Sequence, residues 1–371
     1  MSRPAQDILI PPQTDIFRAV FLYVGQGEST LLFIPNNGSH LKMLVDSNQG
    51  RNTGGIDLIK MLKDLFDGED EARLDYFVNT HPHGDHAGDL DAIQDEIEIT
   101  NVWHSGHDPG PDHNDAYKAL GRLRKKAADN GGEDRTLCGS RDKQTLGEAV
   151  YYVLSPAQHV QDDISDETPE IRYRRIHEHC TVLKIGYGSP EKFVLITGDS
   201  DKCAWQEHIT DYHGAGEENR LKSDVLSASH HGSRTFFKTD EKDSDPYTRH
   251  MDYIDPQYLV ISSPVQAESC HDHPHDDALE LYKKYVAEED ILHTGEGKTS
   301  FIIDIYPDGQ MFIDNDNDNG DLAETYGFSK EDDKDDDSDG SDNNGGNDKR
   351  SAGSGPYVVT RIDKRPMGRN E

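Results

Sequence analysis

The sequence predicts a mixed α/β fold in one large domain, and three features support this prediction. Apolar runs of strand length, such as Phe193–Ile196, recur at intervals along most of the chain. Segments with apolar residues at helical spacing lie between some of these runs. Several runs end directly in glycine-rich clusters of histidine and aspartate. This alternation is typical of an α/β domain that gathers polar side chains at one edge of a sheet.

The N-terminal part of the chain contains three predicted strands and one helix before the first histidine cluster. β-branched and aromatic residues on both sides of Gly25-Gln26-Gly27 predict two strands and a turn within residues 17–35. A third strand is predicted at Leu41–Asp46. Apolar residues at helical spacing over Leu58–Phe66 predict an amphipathic helix that covers a sheet. The strand Leu74–Val78 then leads straight into the cluster.

The same patterns predict the elements of the second part. Strands are predicted at Ala149–Leu154, Thr181–Ile185, Phe193–Thr197, Val225–Ala228, Tyr258–Ser262 and Phe301–Tyr306. Helices are predicted at Ala116–Ala128, Ala204–Tyr212 and Ala278–Ala287. The first of these helices carries the one dense basic cluster of the body, from Lys118 to Lys126. That cluster fits either a guide for phosphate groups or an ordinary solvated helix face.

The pattern of apolar residues divides the chain into a folded body and an acidic appendage. We expect the folded domain to cover residues 1–313. Residues 314–355 consist largely of Asp, Asn, Ser and Gly, which cannot repay the entropy of ordering, and they are predicted to be disordered. Residues 356–371 form a basic tail in which residues 357–359 could add one short strand.

Charge and cysteine usage limit the partners and the compartment. A formal net charge of -34 excludes broad adhesion to DNA or to anionic lipid, so a nucleic-acid contact has to be local. Four scattered cysteines fit a reduced, cytoplasmic protein. We find no export signal and no apolar stretch of membrane-spanning length, so no membrane partner is expected. The acidic segment is a candidate contact for a partner protein.

The first histidine cluster has the composition of a metal site. His81, His83, Asp85 and His86 fall within six residues directly after a predicted strand. Neutral imidazole suits zinc, manganese or iron, and a carboxylate adds negative charge. A solvated polar loop is the alternative, but histidines rarely cluster in this way without a ligand. The cluster therefore predicts a metal centre at the end of the strand.

Two further motifs follow predicted strands in the same manner. Asp199, in Thr197-Gly198-Asp199, comes after the run Phe193–Ile196, where an aspartate can bridge two ions. By itself this motif is an ordinary turn. His230 and His231, in Ser229-His230-His231-Gly232-Ser233, come directly after the strand Val225–Ala228.

The order of these motifs resembles the metallo-β-lactamase superfamily and, more narrowly, the hydrolase domain of the ComEC competence proteins. Val24-Gly25-Gln26-Gly27-Glu28-Ser29 and Leu44-Val45-Asp46 precede them as further hallmark segments, and the likeness extends from Phe17 to Tyr306. Tyr23 departs from the family, which usually has aspartate there. The membrane channel of true competence proteins has no counterpart, so the resemblance does not imply a role in DNA uptake.

The resemblance implies an αββα four-layer sandwich with two divalent ions, zinc or manganese, at the strand edges. It assigns the ligand roles to residues of the motifs: His81 and His83 for the first ion, Asp85 and His86 for the second, and Asp199 between them. One of His230 and His231 completes the second site, and we expect His230 to be this ligand. The remaining ligand precedes the strand that begins near Thr181, where His179 is the best match. Contact with a substrate phosphate and a purely structural role are the alternatives for His179.

The predicted activity is that of a metal-dependent phosphodiesterase that acts on DNA. Asp85 would orient the attacking hydroxide, and His231 or His273 would steady the developing negative charge. For His273, which precedes Pro274 at the start of a predicted helix, a structural role is the alternative. His104 and His107 are expected at the surface. One alternative is hydrolysis of another ester, a lactone, a thioester or a cyclic phosphate on the same fold. A metal-stabilised regulatory binding module is the other, and the full ligand set argues against it.

Overall fold

Two β-sheets packed against each other form the centre of the computed structural model. The structure describes residues 5–48, 50–68, 72–110, 115–216, 218–316 and 321–328. The strands are β1 (Phe17–Phe21), β2 (Thr30–Asn36), β3 (Ser39–Val45), β4 (Arg73–Asn79), β5 (Glu98–His104), β6 (Asp134–Thr136), β7 (Gln144–Leu146), β8 (Ala149–Ser155), β9 (Val182–Tyr187), β10 (Lys192–Ile196), β11 (Val225–Ser227), β12 (Tyr258–Ile261), β13 (Ile291–His293), β14 (Phe301–Ile305) and β15 (Met311–Asn315).

Helices lie on the outer faces of both sheets and in the connections between strands. They are α1 (Ala5–Leu9), α2 (Leu58–Leu65), α3 (Gly84–Ala87), α4 (Leu90–Glu96), α5 (Asp115–Asp129), α6 (Gln158–Asp163), α7 (Pro169–Arg174), a π-helix (Ala204–Gly214), α8 (Arg249–Ile254), α9 (Asp276–Tyr282) and α10 (Leu322–Tyr326). Among the described residues, no helix is both long and apolar enough to cross a lipid bilayer.

The sheets are mixed, and each has a parallel part that leads to one common edge. The eight-stranded sheet has the order β15-β14-β1-β2-β3-β4-β5-β6, with β3 to β6 parallel. The seven-stranded sheet has the order β13-β12-β11-β10-β9-β8-β7, with β10 to β13 parallel. β9 runs antiparallel to β10, with Leu183 opposite Ile196, so the start of β9 lies beside the end of β10.

The fold has four layers, and an apolar cluster fills each of the three spaces between them. One cluster lies between the two sheets and includes Phe17, Val78 and Ile196. A second packs α2, α4 and α5 on the first sheet, and a third packs the π-helix, α8 and α9 on the second. Helix, sheet, sheet and helix therefore follow one another. The predicted αββα architecture is confirmed.

Most predicted elements are present, and the differences concern several strands, the short helices and one helix type. The strands β6, β7 and β13 were not predicted, because each is three residues long and too short to show alternation. The longer strands β5 and β15 and seven short helices were not predicted either: α1, α3, α4, α6, α7, α8 and α10. The segment predicted as a helix at Ala204–Tyr212 is a π-helix that extends to Gly214.

The folded body continues beyond Ile313, where the sequence analysis ended it. β15 extends to Asn315, and the side chains of Leu322 and Tyr326 on α10 are buried. The carboxylate of Asp316 accepts hydrogen bonds from the backbone N–H groups of Ser300 at 2.9 Å and of Leu322 at 3.0 Å. The prediction of disorder is therefore wrong at the start of residues 314–355, because two apolar side chains hold this turn on the core. Residues 317–320 and 329–371 lie outside the described residues.

Leu322→Ala is expected to destabilise the protein. Removal of a fully buried leucine side chain typically costs about 2–5 kcal/mol of unfolding free energy. Phe312→Ala on the neighbouring β15 is the matched control, because the Phe312 side chain is 54% exposed and its loss should change stability little. Urea unfolding of both variants measures the difference. Equal midpoints would mean that α10 does not contribute to the core.

Candidate metal centre

The candidate ligands meet where the two sheets come together at one edge. The first histidine cluster follows β4, and Asp199, His230 and His231 follow β10 and β11. The backbone N–H of Thr181, just before β9, donates to the carbonyl of Thr80 at 2.8 Å and so joins the two sheets. Ligands from distant parts of the chain can therefore share one site.

The first group of candidate ligands consists of three imidazoles and one carboxylate: His81, His83, His177 and Asp199. The Nε2 atom of His81 lies 3.1 Å from Nδ1 of His83, and Nε2 of His177 lies 3.3 Å from the same Nδ1. The Oδ2 atom of Asp199 lies 3.6 Å from His81 Nε2 and 3.7 Å from His177 Nε2. These donor atoms converge on one point, as the ligands of a divalent ion must.

The second group consists of Asp85, His86 and His231. The Nε2 atoms of His86 and His231 lie 3.1 Å apart, and Oδ2 of Asp85 lies 3.5 Å from Nε2 of His231. His230 was the predicted member of this group, but the structure places His231 there instead. The Nε2 atom of His230 lies 3.4 Å from Oδ2 of Asp199.

Asp199 is the residue that the two groups share. Its Oδ1 atom lies 3.0 Å from Nε2 of His86 and 3.6 Å from Nε2 of His231. Its Oδ2 atom faces His81 and His177 of the first group. One buried carboxylate thus presents one oxygen to each group, which is the arrangement of a ligand that bridges two ions.

Left-handed backbone conformations bring these residues to the edge. Gly198 has a φ of +47°, and a Cβ atom there would lie 2.7 Å from Thr80 Cβ, so the turn before Asp199 requires glycine. His230 and His231 have φ values of 52° and 57°. Such a conformation costs a non-glycine residue roughly 1–2 kcal/mol, and it often marks a functional site. Here it directs two adjacent imidazoles to different parts of the centre.

Hydrogen bonds behind the ligands fix the orientation of two rings. Oδ2 of Asp46 lies 2.8 Å from Nδ1 of His86, and it accepts a hydrogen bond from the hydroxyl of Thr80 at 2.6 Å. The carbonyl of Ser262 lies 2.9 Å from Nδ1 of His231. Each ring can donate its Nδ1–H to these acceptors and direct the Nε2 lone pair into the centre, as metal-binding histidines commonly do.

Asp46 had no role in the sequence analysis beyond its motif. The available signal was its position directly after β3, a strand whose last three residues are buried, that runs parallel to β4 and ends at the same edge. Glu28 was overlooked in the same way. Its buried carboxylate approaches His86 and Asp46, and burial raises the pKa of Glu28 to about 7. This carboxyl group can therefore gain or lose a proton near neutral pH beside the centre.

The electrostatics of the first group suit a cation. Burial lowers the pKa of His81, His83 and His177, the last to about 4, so these imidazoles stay neutral and keep a lone pair. Burial opposes ionisation of Asp199, but the surrounding histidines outweigh it, among them His86 and His231, whose own pKa values are raised, and they lower the pKa of this carboxyl well below its usual range. Neutral imidazoles around an ionised, buried carboxylate fit a divalent metal ion.

In the second group, His86 holds a proton at a position where a metal ion would bind. Burial disfavours charge on His86, but the carboxylates of Asp199 and Asp46 outweigh it and raise the pKa of His86 well above its ordinary value. In Asp85, the hydrogen bond from His231 and nearby positive charge outweigh burial and lower the pKa. Metal binding at this group would therefore release a proton from His86.

His273 lies at the rim of the centre and in neither ligand group. Its ring centroid is 5.3 Å from that of His230 and 6.0 Å from that of His231. Its Nδ1 atom lies 3.5 Å from Nε2 of Gln26. Burial lowers the pKa of His273 to about 3, so the ring is neutral and can donate one hydrogen bond. Its contact with a substrate stays a prediction.

His179, the expected ligand before β9, points away from the centre. Its Nδ1 atom lies 3.1 Å from Nδ1 of His107, and both side chains are buried. The N–H of His179 donates to the carbonyl of Arg175, and the N–H of Cys180 donates to that of His177. The chain therefore makes a helical turn here, and this turn directs His177, not His179, to the other ligands.

His104 and His107 were expected at the surface, and this expectation is wrong. Each is 3% exposed. The Nε2 atom of His104 lies 3.1 Å from Oδ1 of Asp134, while His107 pairs with His179. Polar partners from later parts of the chain allow both rings to be buried.

Residues 54–235 match the sequence model of the metallo-beta-lactamase superfamily. This chain contains a metallo-beta-lactamase superfamily domain. All residues of both ligand groups lie within the matched range, whereas His273 lies outside it. The domain and its clustered donors support the predicted metal-dependent hydrolase and are compatible with divalent ions. The narrower likeness to ComEC, the identity and number of the ions and the cytoplasmic location stay predictions.

Several solved structures resemble the metallo-beta-lactamase domain at low sequence identity. The metallo-beta-lactamase fold protein YhfI from Bacillus subtilis is 13% identical, with a TM-score of 0.40, over 81% of this chain and 100% of that one. Igni18, a metallo hydrolase from Ignicoccus hospitalis, is 14% identical, with a TM-score of 0.41, over 80% and 98%. A diphosphatase of the PhnP family is 10% identical, with a TM-score of 0.33, over 74% and 94%. No curated protein matches the chain significantly.

Proposed function

We propose that this protein is a dinuclear metal-dependent phosphodiesterase. The observation that supports the proposal best is the geometry of Asp199, whose two oxygens face two separate groups of donors. His81, His83 and His177 would hold one ion, and Asp85, His86 and His231 would hold the other. Ions bound by these residues would supply an activated water and would stabilise the negative charge on the oxygens of a phosphodiester.

The residues of the chain have distinct tasks in this reaction. Asp46 and the Ser262 carbonyl hold His86 and His231 in the ligating orientation. The Asp85 side chain is 29% exposed, so its carboxylate can also orient the attacking water through a hydrogen bond. His230 and His273 stand at the rim as neutral imidazoles that can donate hydrogen bonds to phosphoryl oxygens.

The basic helix α5 gives little support for guidance of a long duplex, because acidic partners neutralise it. Arg124 pairs with Asp134 at 2.9 Å, Lys118 pairs with Asp115 at 2.9 Å, and Arg122 and Lys125 also contact aspartates. The face therefore offers less free positive charge than the sequence indicates.

Recognition of a nucleic acid would instead be local. The Tyr173 side chain on α7 is 45% exposed, and its ring centroid lies 5.9 Å from that of His83. An aromatic ring beside the centre can stack on a base of a single strand. We therefore propose single-stranded nucleic acid as the substrate class within the phosphodiesters.

A substrate panel tests the proposal. Zinc- or manganese-loaded protein is expected to cleave bis(p-nitrophenyl) phosphate and single-stranded DNA or RNA, and to cleave duplex DNA more slowly. Asp85→Asn is the matched inactive control, since it keeps the shape of the side chain and removes its charge. Hydrolysis of a lactone or thioester without cleavage of any phosphodiester would refute the function and leave the fold unaffected. Faster cleavage of duplex than of single strands would refute the substrate class alone.

A further inference from the structure

A second cluster of metal-binding side chains lies apart from the dinuclear centre. The donor atoms of Glu178, Cys203 and His208 all lie within 4.8 Å of one another. Donors on one tetrahedral zinc ion lie roughly 3.3–3.8 Å apart, given zinc–ligand bonds of about 2.0–2.3 Å. A small side-chain adjustment therefore brings all three onto one ion.

The π-helix explains why Cys203 and His208 meet. Cys203 directly precedes the first residue of this helix, and His208 lies five positions after Cys203. In a π-helix the hydrogen bonds join residues five apart, so positions i and i+5 lie on successive turns of one face. In an α-helix the same spacing would turn the two side chains apart. The π-helical turn that begins at Ala204 therefore keeps His208 closer to the side of Cys203 than an α-helical turn would.

His208 and Glu178 already face each other. The Nε2 atom of His208 lies 2.8 Å from Oε1 of Glu178, and both side chains are largely buried, with exposed fractions of 14% and 11%. An ion bound to Nε2 and to this carboxylate would take the place of the proton that the two atoms share without metal.

The local charge also favours a cation. Arg175 contacts both Glu167 and Glu178, and its Nε atom lies 2.6 Å from Oε2 of Glu178. One guanidinium therefore serves two carboxylates and leaves an excess of negative charge. The Cys203 side chain is exposed, so an ion from solvent can reach the thiol.

We propose that Glu178, Cys203 and His208 form a third metal site, of the thiolate–imidazole–carboxylate class that binds zinc. Glu178 directly follows His177 of the dinuclear centre, and Cys203 and His208 belong to another part of the chain. The ion would link the turn that contains His177 and Glu178 to the π-helix. This site does not depend on the proposed phosphodiesterase activity.

Cobalt substitution distinguishes this site from the dinuclear centre. A thiolate bound to Co²⁺ gives a near-ultraviolet charge-transfer band, and the histidine and aspartate ligands of the dinuclear centre cannot produce one. Cys180 Sγ lies 3.8 Å from His81 on the Nδ1 side, away from the Nε2 atom that faces the other ligands. We expect the wild-type protein loaded with Co²⁺ to show the band, and Cys203→Ser to lose it together with one ion per chain.

Two further variants complete the test. Cys270→Ser, at another exposed cysteine, should keep the band and the full metal content. His208→Ala should lose both, and circular dichroism checks that each variant is folded. A wild-type protein without the band at saturating Co²⁺ would overturn the proposal, and so would a band of equal strength in folded Cys203→Ser.

Discussion

Asp199→Ala is expected to abolish hydrolysis and to weaken metal binding at both groups of ligands. The carboxylate faces His86 with one oxygen and His81 with the other, so its loss removes a donor and a compensating charge from each ion. Loss of several kcal/mol of transition-state stabilisation corresponds to roughly a thousandfold or more in rate. Metal content by elemental analysis and turnover of bis(p-nitrophenyl) phosphate measure the two effects.

Two companion variants separate a local effect from a global one. Asp85→Asn should also lose turnover, but it should retain more metal because the first group stays intact. Asp255→Asn alters an exposed pair with Lys222 and should behave like the wild-type protein. Full metal occupancy and wild-type turnover in Asp199→Ala would show that the proposed centre is wrong.

His177→Ala and His179→Ala are expected to have opposite effects. His177→Ala removes one imidazole from the first group, so metal affinity and kcat/KM should fall by about a hundredfold or more. His179→Ala should retain metal and most activity, because its ring faces His107. It should instead lower the unfolding free energy by about 1–3 kcal/mol, since it leaves a buried polar atom of His107 without its partner.

Isothermal metal titration and urea unfolding of the two variants give the comparison. The two histidines are two positions apart in one turn, which makes each a close control for the other. Loss of metal in His179→Ala with retention in His177→Ala would restore the assignment made from the sequence.

The sequence was sufficient for features that depend on local pattern. The strand before His81, the run before Asp199 and the strand before His230 each place polar residues at a strand end, and parallel strands bring such ends together. The layered architecture follows from the resemblance of the ordered motifs, and the sheets and helices confirm it.

Features that depend on backbone direction or on distant partners could not be foreseen. His177 and His179 would point to the same side of an extended strand, and only the turn at Arg175 separates them. Left-handed φ angles at His230 and His231 decide which ring completes the second group. Asp134 neutralises Arg124 from outside the helix, so its effect is invisible in the helix itself. Helix α10 could not be predicted either, because two buried side chains in an acidic segment are too few to indicate a helix.

The proposed dinuclear centre would also cross-link the fold. His81, His83, Asp85 and His86 belong to the first sheet, and the remaining ligands belong to the second, so each ion would be held by both. An ion that binds only the folded state stabilises it by about 2.7 kcal/mol when its free concentration is a hundred times its dissociation constant. The stability of the junction between the two sheets would then depend on the free metal concentration. Metal starvation would loosen the junction between the sheets at the same time as it stops the chemistry.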